Sequence, residues 1–169
     1  MRSIISTVSP ECLGDRLASL AVAAPASAAW PAVLDAIFVP LSLVEPFEIH
    51  AAFVSNGGVV AGSWDIGVYD SFLSRVFSTG SIIQGGVSVV QIENVSPFLL
   101  KPGEYYLAMA MTLNTGQVLR SLVATLAAGQ VIGLGRFSTA MPLPVRPTLG
   151  PFTTTFVPHF GLLSSRRLW

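Results

Sequence analysis

Trp64-Asp65-Ile66-Gly67-Val68-Tyr69-Asp70 and Lys101-Pro102-Gly103-Glu104-Tyr105-Tyr106-Leu107-Ala108-Met109-Ala110-Met111 decide the fold. The first stretch sets Trp64, Ile66 and Val68 against Asp65, Gly67 and Tyr69, the period-two pattern of a half-buried strand. In the second, Pro102 presets φ and Gly103 accepts the positive φ of a type II turn, so Lys101–Glu104 reads as a tight reversal. From Tyr105 to Met111 every residue is aromatic, aliphatic, Met or Ala. Such a strand is covered on both faces and belongs inside a sandwich.

Working outward, Phe47–Val54 alternates, with Phe47, Ile49, Ala51 and Phe53 on one face and Glu48 and His50 on the other. Asn56, Gly57 and Gly58 follow as residues that tolerate positive φ, the sign of a loop or hairpin. Asp70 begins a turn, Leu73–Ser78 is a strand, and Val87–Val95 is another with Val90 and Ile92 inward and Gln91 and Glu93 outward. Gln117–Ala128 carries Leu119, Leu122, Val123 and Leu126 at helical spacing and reads as a short helix, although its Val, Leu and Thr content also suits a strand. Gly129–Arg136 reads as a Gly-rich loop, Met141–Pro151 as a Pro-stiffened crossing, and Phe152–Val157 and Phe160–Leu163 as closing strands. Upstream, Ser9 caps a helix with Pro10 at its first position and Glu11 near its positive end, running to about Ala24. Together these readings give an all-β, jelly-roll-like β-sandwich over residues 46–169, preceded in residues 1–45 by an N-terminal arm, a short helix and a Pro-rich extended segment.

Composition narrows the function. Charged residues make up 11% of 169, against about 25% in an ordinary soluble domain, and mean hydropathy is +0.66. That much apolar surface goes either to a membrane or to neighbouring proteins. A spanning helix needs about 20 apolar residues in a row, and Pro25, Pro31, Pro40, Pro46, Gly129, Gly133 and Gly135 interrupt the candidates, which favours assembly. Eight Arg, one Lys and nine acids leave a net charge of zero and no basic footprint for nucleic acid. Leu17–Ala29 imitates a secretion signal, but Glu11 and Asp15 stand where a positive segment belongs.

No catalytic, cofactor or metal site is expected. Asp65 and Asp70 lie about 17 Å apart on an extended strand, on opposite faces, which does not suit a glycosidase pair. Asp65 is expected to point outward and Asp70 to bond the turn backbone. A calcium site from Asp65, Asp70 and Asn56 lacks the usual dense acidic loop. His50 and His159 have no second ligand at zinc spacing, and no Gly-x-Ser-x-Gly elbow is present; Cys12 reads as a packed residue. Gly129–Arg136 lacks the strand–turn–helix frame of a dinucleotide loop. Trp30, Trp64, Tyr69, Tyr105, Tyr106 and Trp169 include the candidates for sugar stacking, but most suit a core or subunit contacts better. Ile4, Ile5 and Val8 in the arm, with Trp30 and the terminal Trp169, are the expected interface residues.

The ordered set Trp30-Pro31, Phe38-Val39-Pro40-Leu41, Asn56-Gly57-Gly58, Gly62 with Asp65–Asp70, Thr79-Gly80-Ser81, Gln84-Gly85-Gly86, Gln91 and Leu100–Ala110 resembles a β-sandwich domain of tailed-bacteriophage virion proteins, described as tail-fibre-like, minor tail or uncharacterised virion proteins. The resemblance covers about residues 28–115, and more weakly Ala140–Pro144 and Val157–Leu162. It implies a multi-copy, non-enzymatic structural component of a virion in a tail, fibre, collar or capsid-decoration position, assembled in the host cytoplasm. Its implied partners are other virion proteins and copies of itself. A carbohydrate-binding module for a host surface glycan is the alternative.

Overall fold

The computed structural model describes residues 11–12, 16–18, 26–33, 35–122, 135–138, 141–147 and 156–164, and these form an all-β sandwich. Its strands are β1 (Glu11–Cys12), β2 (Arg16–Ala18), β3 (Ala26–Ala29), β4 (Asp35–Leu43), β5 (Phe47–Ser55), β6 (Ser63–Asp70) and β7 (Arg75–Ser78). They continue as β8 (Ile82–Ile83), β9 (Val90–Leu100), β10 (Gly103–Met111), β11 (Gln117–Leu122), β12 (Gly135–Ser138), β13 (Phe156–Pro158) and β14 (Phe160–Leu163).

A five-stranded sheet runs β1-β2-β14-β5-β9, and a six-stranded sheet runs β12-β4-β10-β6-β7 with β8 also paired to β6. All pairings among the described strands are antiparallel. Ile37, Val39 and Leu41 of β4, Trp64, Ile66 and Val68 of β6, and Leu107, Met109 and Met111 of β10 meet Ile49, Ala52 and Val54 of β5 and Phe160 and Leu162 of β14 in one core. A smaller sheet, β13-β11-β3, adds Val118, Phe156 and Val157 to the same core. His159 is the joint between the small sheet and the five-stranded one. Its N–H donates to the Leu119 carbonyl at 2.8 Å, and its carbonyl accepts from the Ser55 N–H at 3.0 Å.

The deciding stretches pair directly: β10 lies between β4 and β6, with Leu107 opposite both Val39 and Val68. Of Tyr105–Met111, expected to be covered on both faces, Leu107–Met111 is buried and Tyr105 and Tyr106 are half-buried. The second face is covered by residues 141–147, whose Leu143 and Met141 pack with Ala36, Phe38, Tyr69, Ala108 and Ala110.

Several local expectations give way to tertiary context. The segment read as a helix from Ser9 contains strands β1 and β2, which pair with each other, and β2 also pairs with β14; the rest of that segment lies outside the described residues. An unpaired edge of β14 outweighs the helical spacing of a few leucines. Gln117–Leu122 is likewise a strand, its backbone taken up by β3 on one side and β13 on the other. Strand β4 lies upstream of residue 46 yet is paired between β10 and β12 as an interior strand of the larger sheet.

The alternation of β5 changes phase where its pairing with β9 shifts register between Ile49 and Ala51, so Ala52 and Val54 join Ile49 in the main core, while Ala51 and Phe53 are buried outside that cluster. The extra residues lie on β9, where Val95, Ser96 and Pro97 fall between the pairs that skip only His50 of β5, and the local distortion turns the two halves of β5 relative to each other. Gly103 is also not the third residue of a type II turn, which needs φ of about +80°. It is extended, with φ 159°, and already pairs with Leu43. Strands β9 and β10 belong to different sheets, so Lys101-Pro102 turns a corner between layers, held by a 3.0 Å bond from the Tyr105 hydroxyl to the Lys101 carbonyl.

Candidate functional site

Three polar constellations and one exposed edge are the places where this scaffold could act. The first is built on Asp65 of β6, which is 0% exposed and so does not point outward as expected. The side chains opposite Ile66 and Val68 face the layer formed by residues 141–147 instead of water. Its carboxylate accepts from the Ser78 hydroxyl at 2.9 and 3.0 Å, the Thr79 hydroxyl at 3.0 Å and the Leu143 N–H at 2.6 Å. Burial pushes this carboxyl above its ordinary range, against the opposing pull of those donors and of the Arg75 charge.

Neighbouring groups hold the same strap. The Tyr69 hydroxyl donates to the Pro144 carbonyl at 2.7 Å, the Arg75 N–H to the Val145 carbonyl at 2.8 Å, and the Arg75 guanidinium to the Leu143 carbonyl. Burial raises the Tyr69 hydroxyl's pKa, which keeps it a donor. Asp65, Tyr69 and Arg75 thus fasten residues 141–147 to the sheet, while Ser78 and Thr79 hold the Asp65 carboxylate.

The second constellation is a network of side-chain amides. Gln84 Nε2 donates to Asn56 Oδ1 at 2.9 Å and to the Gln117 carbonyl at 2.8 Å, while its Oε1 accepts from the Ala61 N–H at 2.9 Å. Asn56 Nδ2 donates to the Gly85 carbonyl at 2.6 Å. Gln91 Oε1 accepts from Trp64 Nε1 at 3.1 Å and the Gly85 N–H at 2.9 Å, and its Nε2 donates to Ile83 O and Glu93 Oε1 at 2.9 Å.

Two expectations are corrected by this network. Asn56 is a buried residue bridged to Val118, not an exposed turn position. Gly57 serves close approach: a Cβ there would strike Ser27 Oγ and stand 2.8 Å from Gln117 Cβ. The inward side of β9 is therefore Gln91 and Glu93, and its exposed side is Val90 and Ile92, the reverse of the parity read from the sequence. The reason is the Trp64 indole N–H, a buried donor that requires an acceptor.

The third is the buried pair Ser55 Oγ and His159 Nδ1, 2.7 Å apart, with Phe53 edge-on to the imidazole at 5.4 Å between centroids. Ser55 and His159 are also joined through the backbone, which makes the pair a fastening between β5 and the β13–β14 joint. Asp70 behaves as expected: its Oδ1 accepts from the Phe72 and Ser74 N–H groups at 2.9 Å, closing the β6–β7 turn. Asp65, Asp70 and Asn56 thus serve three separate structures. Among the described residues, no group of three or more His, Cys, Asp or Glu is arranged to hold a metal ion.

Of the expected contact residues, Trp30 is in the core at 2% exposure, its Nε1 donating to the Asp35 carbonyl at 2.9 Å and its ring edge-on to Phe156. It is not a subunit contact. Ile4, Ile5, Val8 and Trp169 lie outside the described residues. Trp64 and Tyr69 are also fully buried, which removes them and Trp30 from any sugar-stacking platform.

The exposed edge gathers a continuous set of exposed aliphatic residues, while Val44, Phe72 and Val145 are exposed singly elsewhere. Strand β9 pairs only with β5 among the described strands, and Ile83, Val87, Val89, Val90, Ile92 and Leu99 along it and its approach are exposed. Among the described residues, no helix is long and apolar enough to cross a membrane. Comparison with protein-family models and with curated proteins found no match to the chain.

Proposed function

We propose that the chain is a non-enzymatic structural protein of a tailed-bacteriophage virion, present in many copies and acting through protein–protein contacts. The observation that carries this reading is the exposed aliphatic row along β9 in a chain with only 11% charged residues. A protein that works alone in water blunts such an edge with charge, whereas a subunit keeps it apolar for a neighbour. The resemblance over residues 28–115 supplies the kind of assembly, and the polar constellations, each used to fasten strands or the strap, supply no competing chemistry. Its mechanism is geometric. The edges and faces of the sandwich position adjoining proteins in the particle.

Immunogold electron microscopy with antibody raised against the purified chain tests the reading on particles from the source. Label at a fixed, repeated position on tailed particles is the expected result. Particles that stay unlabelled while the chain is found free would overturn it. A glycan array run on the same preparation separates the carbohydrate-binding alternative, which requires specific sugar binding by the isolated chain.

A further inference from the structure

We propose that β9 is a homotypic docking edge, through which a second copy of this chain adds antiparallel across a two-fold axis at Ile92 and joins two five-stranded sheets into one. This deepens the multi-copy reading above and rests on it only for the presence of a second copy.

The backbone argument starts from one hydrogen bond. The Asn56 N–H donates to the Val89 carbonyl at 2.9 Å, so Val89 turns its carbonyl toward β5. In an antiparallel ladder such residues alternate with ones whose N–H and C=O point the other way. Gln91 and Glu93 therefore bond β5 at Val54 and Ala52, and Val90, Ile92 and Asn94 present their N–H and C=O groups to the side that no described strand occupies. The run is bounded. After Asn94 the pairing with β5 breaks register until Phe98, and Pro97 within that irregular stretch has no N–H to offer.

The two-fold solution follows from this short, bounded run. With Ile92 on the axis, Ile92 faces its own copy and Val90 faces Asn94 of the other chain, so each of the three free residues finds a partner that exchanges both backbone bonds. The side chains agree with it. Val90 is 53% and Ile92 48% exposed, so a neighbouring strand covers aliphatic surface as it pairs.

Charge agrees as well. Residues 87–100 contain one ionisable side chain, Glu93, which lies on the opposite parity and accepts from Gln91. Two copies can therefore approach without like charges meeting, and β9 has none of the lysines that guard natural sheet edges. The free edge of β7, by contrast, is already occupied, since the Arg75 N–H donates to Val145 in the strap.

The test is the mass of the full chain by light scattering over a concentration series, with hydrogen exchange on the same samples. The expected wild-type mass is about twice 17.8 kDa, with the Val90, Ile92 and Asn94 amides exchanging at least tenfold more slowly in the dimer than after dilution. Ile92→Pro deletes a free-side donor without touching the β5 ladder, and Val90→Lys/Ile92→Lys places charge on both sides of the axis. Each is expected to give a monomer of 17.8 kDa with the wild-type circular dichroism spectrum.

A wild-type monomer at every concentration, a dimer whose three amides exchange as fast as in dilute solution, or an oligomer that survives both variants would overturn the proposal. If a variant does not fold, the exchange measurement on wild type decides. A monomer that still labels virions removes the self-pairing and keeps the virion reading, and a dimer absent from virions does the reverse. Slowed exchange only after adding a different virion protein assigns the edge to that partner instead.

Discussion

Burial sets the ionisation of Asp65 against the fold that needs its oxygen atoms. Its carboxyl binds a proton more tightly in the folded chain than in the unfolded one, where its ordinary value is 3.8. The stability contributed by that proton is complete below the ordinary value and is lost as pH rises through the raised one. Asp65→Asn keeps an acceptor for the Leu143 N–H and can donate to the Ser78 and Thr79 oxygens, without a charge to bury. Urea midpoints measured from acid to neutral pH should therefore shift in favour of Asp65→Asn as pH rises; a constant difference from wild type would contradict this.

Trp30 gives a second residue-level outcome. Because it fills the core and is bonded to Asp35, Trp30→Ala should cost about 3–5 kcal/mol in chemical denaturation. An interface residue would leave the monomer's stability nearly unchanged. The indole of Trp64 depends on its acceptor in the same way, and Gln91→Leu, which strands that N–H, should cost about 1–3 kcal/mol.

At the scale of elements, the strap of residues 141–147 and strand β6 are fitted at Gly67. A Cβ on Gly67 would come 2.9 Å from Leu143 Cδ1 and 3.1 Å from the Phe77 carbonyl. Gly67→Ala should push Leu143 off the sheet and cost about 1–3 kcal/mol, with faster exchange at the Leu143 amide as its local sign. The sequence announces β6 and β10 clearly, since strict alternation and an unbroken apolar run each have one reading as strands. It does not announce what lies over Asp65. The strap comes from a Pro-rich segment nearly eighty residues away in the chain (65 against 143), and no local period records that contact.

The phase of β9 was hidden for a related reason. Val and Ile alternating with Gln and Glu ordinarily marks the aliphatic side as inward, and only the Trp64 indole and the Asn56–Gln84 amides turn the glutamine in. The phase change of β5 and the strand character of Glu11–Cys12, Arg16–Ala18 and Gln117–Leu122 likewise depend on partners distant in sequence. Asp70, whose partners are two and four residues away, was legible from the start.

For the whole molecule, pairing through β9 uses backbone bonds and aliphatic side chains, so salt has little to screen. The dissociation constant of the dimer, followed by sedimentation velocity, should stay level between low and high ionic strength. A steep salt dependence would place the contact on charged surface elsewhere. Order along the chain adds a last consequence, this time for biosynthesis. Strand β14 sits between β2 and β5, and Phe160 and Leu162 complete the core, while β4, β6 and β10 have all been made by Met111. A ribosome that has just delivered Met111 therefore holds most of a sheet whose opposing layer lacks its middle strand, and the sandwich cannot close until residues up to Leu163 have cleared the exit tunnel. During that interval the apolar faces are open to solvent, and nascent chains on one polysome are each other's nearest neighbours.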